Sequence, residues 1–296
     1  MLLQRVVTAV VLLVVLLLVS VFLPPVWFRL FMALSSALVI WEWLRIATLT
    51  SRTAAAAAGV YFIIAASVAI TGFDDALATT GSAVAAYPSR SAWVDPLASV
   101  LGVLGLLFWT IMAPLSLSHA DTQRSPRSLI SLGAGIVVTA ASALGLSMLH
   151  QQYGAWFIFS FLGVIWCADT FAYFGGKRFG GPRLAPTISP GKTRSGALCG
   201  LIAAVVWIGV TLFIGDSFAA YLHQYVPAIL VLLGGALLGI YSMIGDLYES
   251  LIKRRASVKD SSNLLPGHGG VWDRFDSILS VTPVVLCLWL FIRHFY

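Results

Sequence analysis

The sequence predicts an all-α protein that crosses a membrane several times, and three observations lead to this prediction. Of the 296 residues, 59% are hydrophobic and 10% are charged, whereas soluble domains carry roughly 25% charged residues. The apolar residues are gathered in runs of about 20, the length that a helix needs to cross the hydrocarbon core. These runs lack the alternation of polar and apolar residues that is typical of barrel strands. A single integral membrane domain is therefore expected over residues 1–296.

Nine runs are apolar enough to be interpreted as membrane spans. They lie near 6–23, 27–47, 54–71, 97–117, 129–149, 155–174, 197–215, 227–247 and 277–295. The first follows Arg5 and ends in two prolines rather than in a small-residue cleavage site, so it is expected to be retained as a helix. The second is the least apolar of the nine, because it contains Arg29, Glu42 and Arg45.

The positive charges predict the orientation of these spans. With nine spans, the N-terminus and every second loop lie on one side, and fifteen of the 18 Lys and Arg residues fall on or beside that side. The exceptions are Arg29, Arg90 and Arg293. Because positively charged loops stay in the cytoplasm, a cytoplasmic N-terminus is expected, in the cytoplasmic membrane if the source is bacterial. This topology accounts for the net charge of +6, so no nucleic-acid partner is expected.

Half of the acidic residues are predicted to gather at the cytoplasmic ends of the sixth, eighth and ninth spans or in the last loop. These six are Asp169, Asp246, Glu249, Asp260, Asp273 and Asp276. A carboxylate beside lipid is costly unless it is paired with a base or bound to a metal. For any one of them alone, a structural ion pair with a nearby arginine is an equally good explanation. Their clustering at one membrane face favours a functional site.

The spacing of these residues sharpens that interpretation. Asp246, Glu249, Ser250 and Lys253 lie on one face of a helix that continues out of the eighth span. Carboxylate oxygens are the ligands that Mg²⁺ prefers. Lysine and arginine beside them suit a polyphosphate whose charge must be neutralised during transfer. The pattern therefore predicts phosphate chemistry next to lipid, on a cytoplasmic face.

Two loops add weaker signals. The turn at 266–270 contains His268 among glycines, whose backbone amides could approach an anion, although a plain turn explains the glycines equally well. Ser189–Thr193 looks like a phosphate-binding P-loop, but Pro186 stands where that motif requires glycine. Its lysine and hydroxyl groups remain candidates for binding phosphate.

The segment from Ser250 to Asp276 closely resembles the signature of the phosphatidate cytidylyltransferases, or CDP-diacylglycerol synthases. That pattern has Ser, then Lys-Arg, Lys-Asp, His-Gly-Gly and Asp-Arg-apolar-Asp. Here these positions are Ser250, Lys253, Arg254, Lys259, Asp260, His268, Gly269, Gly270, Asp273, Arg274, Phe275 and Asp276. Four other stretches are also similar to the family, namely Trp41–Trp43, Ala168–Tyr173, Ser189–Thr193 and Gly245–Ser250.

One departure from the family pattern follows Lys192 and Thr193. The family usually has Trp, then Glu or Gln, then Gly, and this chain has Arg194, Ser195 and Gly196. A missing carboxylate or amide there could alter nucleotide or lipid contacts, or only local packing. No role is therefore assigned to Ser195.

The resemblance implies that CTP and phosphatidic acid are converted to CDP-diacylglycerol and pyrophosphate with Mg²⁺, in a protein that is a homodimer. By this analogy Asp246 and Asp273 are the metal ligands. The candidate catalytic residues are Asp246, Asp273, Lys253, Lys259, Asp260 and Asp276. The candidate phosphate-binding residues are Lys192, Arg254, His268, Arg274, Ser189 and Thr193, and the supporting residues are Asp169, Glu249 and Ser250.

These residues divide the chain into three parts. The catalytic region is expected at 155–276, after N-terminal helices at 1–150 with no assigned role and before the last transmembrane helix at 277–296.

Three other functions have to be weighed against this one. A CTP-dependent lipid kinase, such as a polyprenol kinase, would also be a membrane protein that handles CTP, but it would transfer the γ-phosphoryl group. A CDP-alcohol phosphatidyltransferase requires an Asp-Gly pair, which this sequence lacks. A transporter would place acidic groups along a path through the bilayer, whereas here they gather at one face.

Overall fold

The computed structural model describes residues 2–47, 50–73, 90–123, 125 and 129–295. This part of the chain folds into ten α-helices and one β-hairpin. The helices are α1 (Leu2–Leu17), α2 (Pro25–Ala47), α3 (Ser51–Thr71), α4 (Val94–Leu107), α5 (Ala113–His119), α6 (Leu129–Phe179), α7 (Arg194–Thr211), α8 (Phe218–His223), α9 (Ala228–Arg255) and α10 (Trp272–Phe295). Short π-helical segments, Leu18–Phe22 and Phe108–Met112, extend α1 and join α4 to α5.

The prediction of an all-α polytopic membrane protein is confirmed. Seven helical segments in the described part of the chain are long and apolar enough to cross a membrane: Pro25–Ala47, Ser51–Thr71, Val94–His119, Ile130–Phe179, Arg194–Thr211, Ala228–Arg255 and Trp272–Phe295. The first predicted span falls on a shorter apolar helix, Val7–Phe22. The count of nine spans and the cytoplasmic N-terminus remain predictions.

The longest helix, α6, contains a sharp break. Gly154 has φ 79° and ψ −174°, backbone angles outside the helical region that glycine adopts without the steric penalty of a side chain. The break lies between the two spans predicted near 129–149 and 155–174. Two helical parts, each long enough to count as one predicted span, are thus joined by a single non-helical residue.

Two helices extend beyond the predicted spans. The continuation of the eighth span is confirmed, because α9 runs on to Arg255. The last helix begins at Trp272, earlier than the predicted 277. Asp273 and Asp276 therefore belong to the same helix as the last span, and the boundary expected at 276 falls inside α10.

A small β-hairpin interrupts the loop between α6 and α7. Strands β1 (Arg183–Ala185) and β2 (Ser189–Thr193) are antiparallel, with Arg183 opposite Thr193 and Ala185 opposite Ser189. The all-α prediction did not include this hairpin. Its consequence is that Lys192 sits on a paired strand rather than on an open loop.

The core lies between α2, α6 and α10, which are the most buried of the candidate spans. Trp43 of α2 stacks on Trp272 of α10 with ring centroids 4.2 Å apart. Tyr248 of α9 packs edge-on against Phe108 and Trp109 of the π-helical segment. These contacts hold the end of α2, the end of α9 and the start of α10 together at one end of the bundle.

Candidate active site

The site is built where α6, α9 and α10 reach the same end of the bundle, beside the hairpin. Helical spacing places Asp246, Glu249 and Lys253 on one face of α9. Asp273 and Asp276 lie in the first turns of α10. Most of the predicted catalytic residues are thus carried by two neighbouring helices.

A glycine allows these two helices to approach each other closely. A Cβ at Gly245 would collide with the hydroxyl of Ser280 and with the backbone oxygen of Asp276. Only a residue without a side chain fits this contact between α9 and α10. Because Asp246 follows Gly245 directly, the contact brings its carboxylate next to that of Asp276.

Three carboxylates form a compact group. One oxygen from each of Asp246, Glu249 and Asp276 lies within 4.8 Å of the others. Glu249 is only 2% exposed, and its Oε1 has no hydrogen-bond partner within the described part of the chain. Asp169 of α6 adds further negative charge, since it interacts electrostatically with both Asp246 and Asp276. Like charges at this separation repel one another unless a cation compensates them.

Two lysines supply part of that compensation. Lys192 of β2 forms an ion pair with Asp246. The Nζ atom of Lys253 lies 2.7 Å from Glu249 Oε2 and 2.6 Å from Asp273 Oδ1. Both contacts of Lys253 are shielded from solvent, because the side chains of Lys253, Glu249 and Asp273 are only 13%, 3% and 5% exposed.

Asp273 occupies a different setting from Asp246. Its Oδ2 accepts hydrogen bonds from the backbone N–H groups of Ser261 and Gly270, at 2.9 and 2.7 Å. The Ser261 hydroxyl lies 3.0 Å from the same oxygen and shares its single proton between Asp273 and a second carboxylate. Asp273 is not part of the three-carboxylate group. The two residues predicted together as metal ligands thus have different neighbours: Asp246 faces other carboxylates, whereas Asp273 contacts a loop and a lysine. Their shared role as metal ligands stays a prediction.

Exposed charged residues surround this centre. Arg254 donates from Nε to the backbone oxygen of Ile188 at 3.2 Å, which ties α9 to the hairpin. Arg274 is exposed and interacts electrostatically with Asp169. Lys259 and Asp260 are exposed on the loop between α9 and α10, and neither forms an ion pair with any other described residue.

His268 lies on an ordered turn. Its backbone N–H donates to Leu265 at 2.9 Å, Leu265 donates to Gly269 at 2.8 Å, and Gly267 and Gly269 have positive φ angles of 76° and 83°. The turn therefore explains these glycines by backbone geometry alone. The half-buried imidazole keeps a buried Nδ1 atom with no hydrogen-bond partner among the described residues.

Comparison of the sequence with known proteins identifies the family. The model of the cytidylyltransferase family matches residues 3–292. The chain belongs to the cytidylyltransferase family. It is 36% identical to a phosphatidate cytidylyltransferase of Pseudomonas aeruginosa over 294 residues, with 97% of both chains covered. It is 31% identical to one of Haemophilus influenzae, with 99% of this chain and 100% of that protein covered. The predicted resemblance is confirmed, and with it the prediction of a nucleotidyltransferase.

The departure from the family pattern lies at the start of α7. Thr193 caps this helix, because its Oγ1 accepts a hydrogen bond from the backbone N–H of Gly196 at 3.1 Å. Ser195 donates its hydroxyl to the backbone oxygen of Gly180. Both hydroxyls thus have protein partners, and the Ser195 contact joins the start of α7 to the residue that follows α6.

The remaining predicted residues lie beside the centre. Ser189 begins β2 opposite Ala185, on the strand that carries Lys192. Ser250 is half-buried on α9 next to Glu249. Neither side chain forms a hydrogen bond with another described residue, so their predicted roles depend on a substrate.

Three residues close to Asp273 had no predicted role. Ser261 and Ser262 are buried in the loop before α10, and Glu42 of α2 is fully buried beside them. The sequence did carry a signal for Glu42, because an acidic residue inside an apolar membrane span is costly unless it is paired. The two serines carried no such signal, since serine is common in loops.

Proposed function

We propose that this protein transfers the cytidylyl group of CTP to phosphatidic acid, releasing CDP-diacylglycerol and pyrophosphate. The observation that carries the proposal is the group formed by Asp246, Glu249 and Asp276, flanked by Lys192 and Lys253 at one end of a membrane bundle. Such a mixture of carboxylates and lysines suits a metal-bound triphosphate and an anionic lipid. The relatives named phosphatidate cytidylyltransferase support the same acceptor.

The residues present fit a divalent cation such as Mg²⁺. All donors of the three-carboxylate group are oxygens, which Mg²⁺ prefers, and the buried Oε1 of Glu249 has no partner within the described chain. We propose that Asp246, Glu249 and Asp276 hold the ion, with Asp246 retained from the sequence-based pair. When bound, the cation would neutralise charge on the nucleotide phosphates and on the departing pyrophosphate.

The reaction needs positioning more than it needs a general base. A phosphate oxygen of phosphatidic acid is already anionic, so it attacks the α-phosphorus of CTP without first losing a proton. The new oxygen–phosphorus bond forms as the bond from the α-phosphorus to the bridging oxygen breaks, and pyrophosphate leaves with the electron pair. Lys192 and Lys253 reduce the repulsion between the two anionic substrates.

The exposed residues around the centre are proposed to recruit the two anions. Arg254, Arg274 and Lys259 present positive charge that attracts phosphate groups. His268 has hydrogen-bonding capacity left for a phosphate oxygen, and Asp169 and Asp260 would orient the neighbouring bases. A cytoplasmic orientation of this end and a homodimeric assembly are part of the proposal.

The test is a turnover assay on detergent-purified protein with phosphatidic acid, Mg²⁺ and CTP labelled at either the α- or the γ-phosphorus. Label from the α position in the lipid, with γ label released in pyrophosphate, is the expected result. Label from the γ position in the lipid would identify a lipid kinase instead. If folded protein incorporates neither label, the proposal is wrong and a flux assay in liposomes tests the transporter.

A further inference from the structure

Glu42 is a fully buried carboxylate on α2, far along the chain from the residues it contacts. Its Oε1 accepts hydrogen bonds from the Ser262 hydroxyl at 2.5 Å and from the backbone N–H of Val271 at 3.0 Å. Its Oε2 accepts from the Ser261 hydroxyl at 2.8 Å and from the backbone N–H of Trp272 at 2.7 Å. Both oxygens therefore receive two donors each, which uses the hydrogen-bonding capacity of the carboxylate fully.

Two of these donors belong to the start of α10. The first backbone N–H groups of a helix have no acceptor within the helix, and they carry the positive end of its dipole. A cap usually comes from the residue that precedes the helix. Here the acceptor comes from another helix, so Glu42 fixes the start of α10 relative to α2.

The other two donors are the hydroxyls of Ser261 and Ser262, within the loop at 256–271 that connects α9 to α10. Arg45, one turn after Glu42, also donates to the backbone oxygen of Ser261. A Cβ at Gly270 would collide with the Glu42 carboxylate and with the Ser261 hydroxyl. The end of α2 therefore holds this loop through two side chains, and the loop is packed against it without space for a side chain at Gly270.

Ser261 connects Glu42 to the candidate site. Its hydroxyl lies between Glu42 Oε2 at 2.8 Å and Asp273 Oδ2 at 3.0 Å, and its backbone N–H donates to the same Asp273 oxygen at 2.9 Å. The other oxygen of Asp273 accepts from Lys253. A continuous series of contacts thus runs from Glu42 through Ser261 and Asp273 to Lys253.

We propose that Glu42 is a positioning residue for the reaction. The sequence analysis had assigned no role to the N-terminal helices, to which Glu42 belongs. It holds the 256–271 loop and the start of α10, so that Asp273 orients Lys253 toward the phosphates. Glu42 itself touches neither the three-carboxylate group nor the exposed bases. The identity of the reaction rests on the proposed function, but the contact that Glu42 makes does not.

The decisive variant is Glu42→Gln, which keeps the size of the side chain. The amide nitrogen has no lone pair to offer, so at that end one backbone N–H, of Val271 or Trp272, loses its acceptor and faces another donor, and the neighbouring serine hydroxyl must turn to accept. We expect kcat to fall roughly 10- to 100-fold, with KM for CTP changed much less because Lys192 and Arg254 do not contact Glu42. Glu42→Asp keeps four acceptor positions on a shorter side chain, so its kcat should lie between that of the parent protein and that of Glu42→Gln.

The matched control is Ser36→Ala on the same helix. Ser36 is buried, and its hydroxyl donates to the Ala33 carbonyl of α2 at 2.8 Å rather than to the loop. This variant should retain the kcat of the parent protein. A loss of similar size in both variants would show that any buried polar change in α2 impairs the enzyme, which would overturn the proposal.

A second readout does not depend on activity. Hydrogen exchange of the intact protein in detergent should become faster in Glu42→Gln at residues 256–272 and stay unchanged in α6 and in the first half of α9. Faster exchange throughout the bundle, or unchanged exchange at 256–272, would each overturn the positioning role. If the parent protein fails to label lipid from CTP, the proposed function fails, and the exchange pattern still decides whether Glu42 holds this loop.

Discussion

Lys253 and Asp273 form the contact that joins the two helices of the candidate site, with Nζ 2.6 Å from Oδ1. The lysine comes from the end of α9 and the aspartate from the start of α10, and both side chains are largely buried. Lys253 also contacts Glu249, which belongs to the three-carboxylate group. The lysine thus stands between the proposed metal site and the loop that precedes α10.

Replacing Asp273 with Asn is expected to abolish most turnover while the protein stays folded. The amide can keep one acceptor, but it loses the charge that pairs with Lys253 and part of the acceptor capacity for Ser261 and Gly270. Removing a charged partner of this kind costs about 1.5–3 kcal/mol per hydrogen bond. The measurement is α-label incorporation into lipid, with size-exclusion elution as the control for folding. Near-normal activity in this variant would contradict the role assigned to Asp273.

The sequence predicted the parts of the site that follow helical periodicity. The continuation of α9 was predicted from the spacing of Asp246, Glu249 and Lys253, and the structure confirms that continuation. The clustering of acidic residues near one end was expected because carboxylates beside lipid require compensation. These are local properties of a helix and its solvent, which a sequence pattern shows directly.

The parts that the sequence did not show are contacts between distant segments. Asp246 and Asp273 were predicted together because the family resemblance paired them, whereas the compact group contains Asp276 and Glu249. That grouping depends on how closely α9 approaches α10 at Gly245, which periodicity does not encode. Glu42 lies more than 200 residues from its four donors, so its role depends on the packing of α2 against the last loop.

Substitutions in the three-carboxylate group are expected to change the dependence on Mg²⁺. Asp276→Asn removes one negative charge from the proposed metal ligands, so half-saturation should require roughly tenfold or more Mg²⁺. The measurement is thermal unfolding of the purified protein across a Mg²⁺ titration, together with activity in the same titration. Chelation of divalent ions should remove the stabilisation of the parent protein.

Asp216→Asn is the matched control for this titration. Asp216 precedes α8, well away in the chain from the group, and its positive φ of 57° is one that Asn also adopts readily. This variant should show the Mg²⁺ dependence of the parent protein. An unchanged titration in Asp276→Asn would remove Asp276 from the metal site.

The close approach of α9 and α10 can be tested with two glycines on the same helix. Gly245→Ala introduces a Cβ that collides with Ser280 and with the backbone of Asp276, so α9 must move away and Asp246 must separate from Asp276. We expect activity to fall by at least roughly tenfold and the free energy of unfolding to fall by about 1–3 kcal/mol, the usual cost of overpacking. The measurements are the α-label assay and thermal unfolding in detergent.

Gly234→Ala on the same helix provides the comparison, because a Cβ there meets no atom within 4 Å. Alanine is favoured over glycine inside a helix by about 1 kcal/mol, so this variant should be as stable as the parent protein or slightly more stable, with unchanged activity. The difference between the two variants isolates the helix contact from the helix propensity. If Gly245→Ala is as active as Gly234→Ala, the close contact between α9 and α10 at Gly245 does not set the position of Asp246.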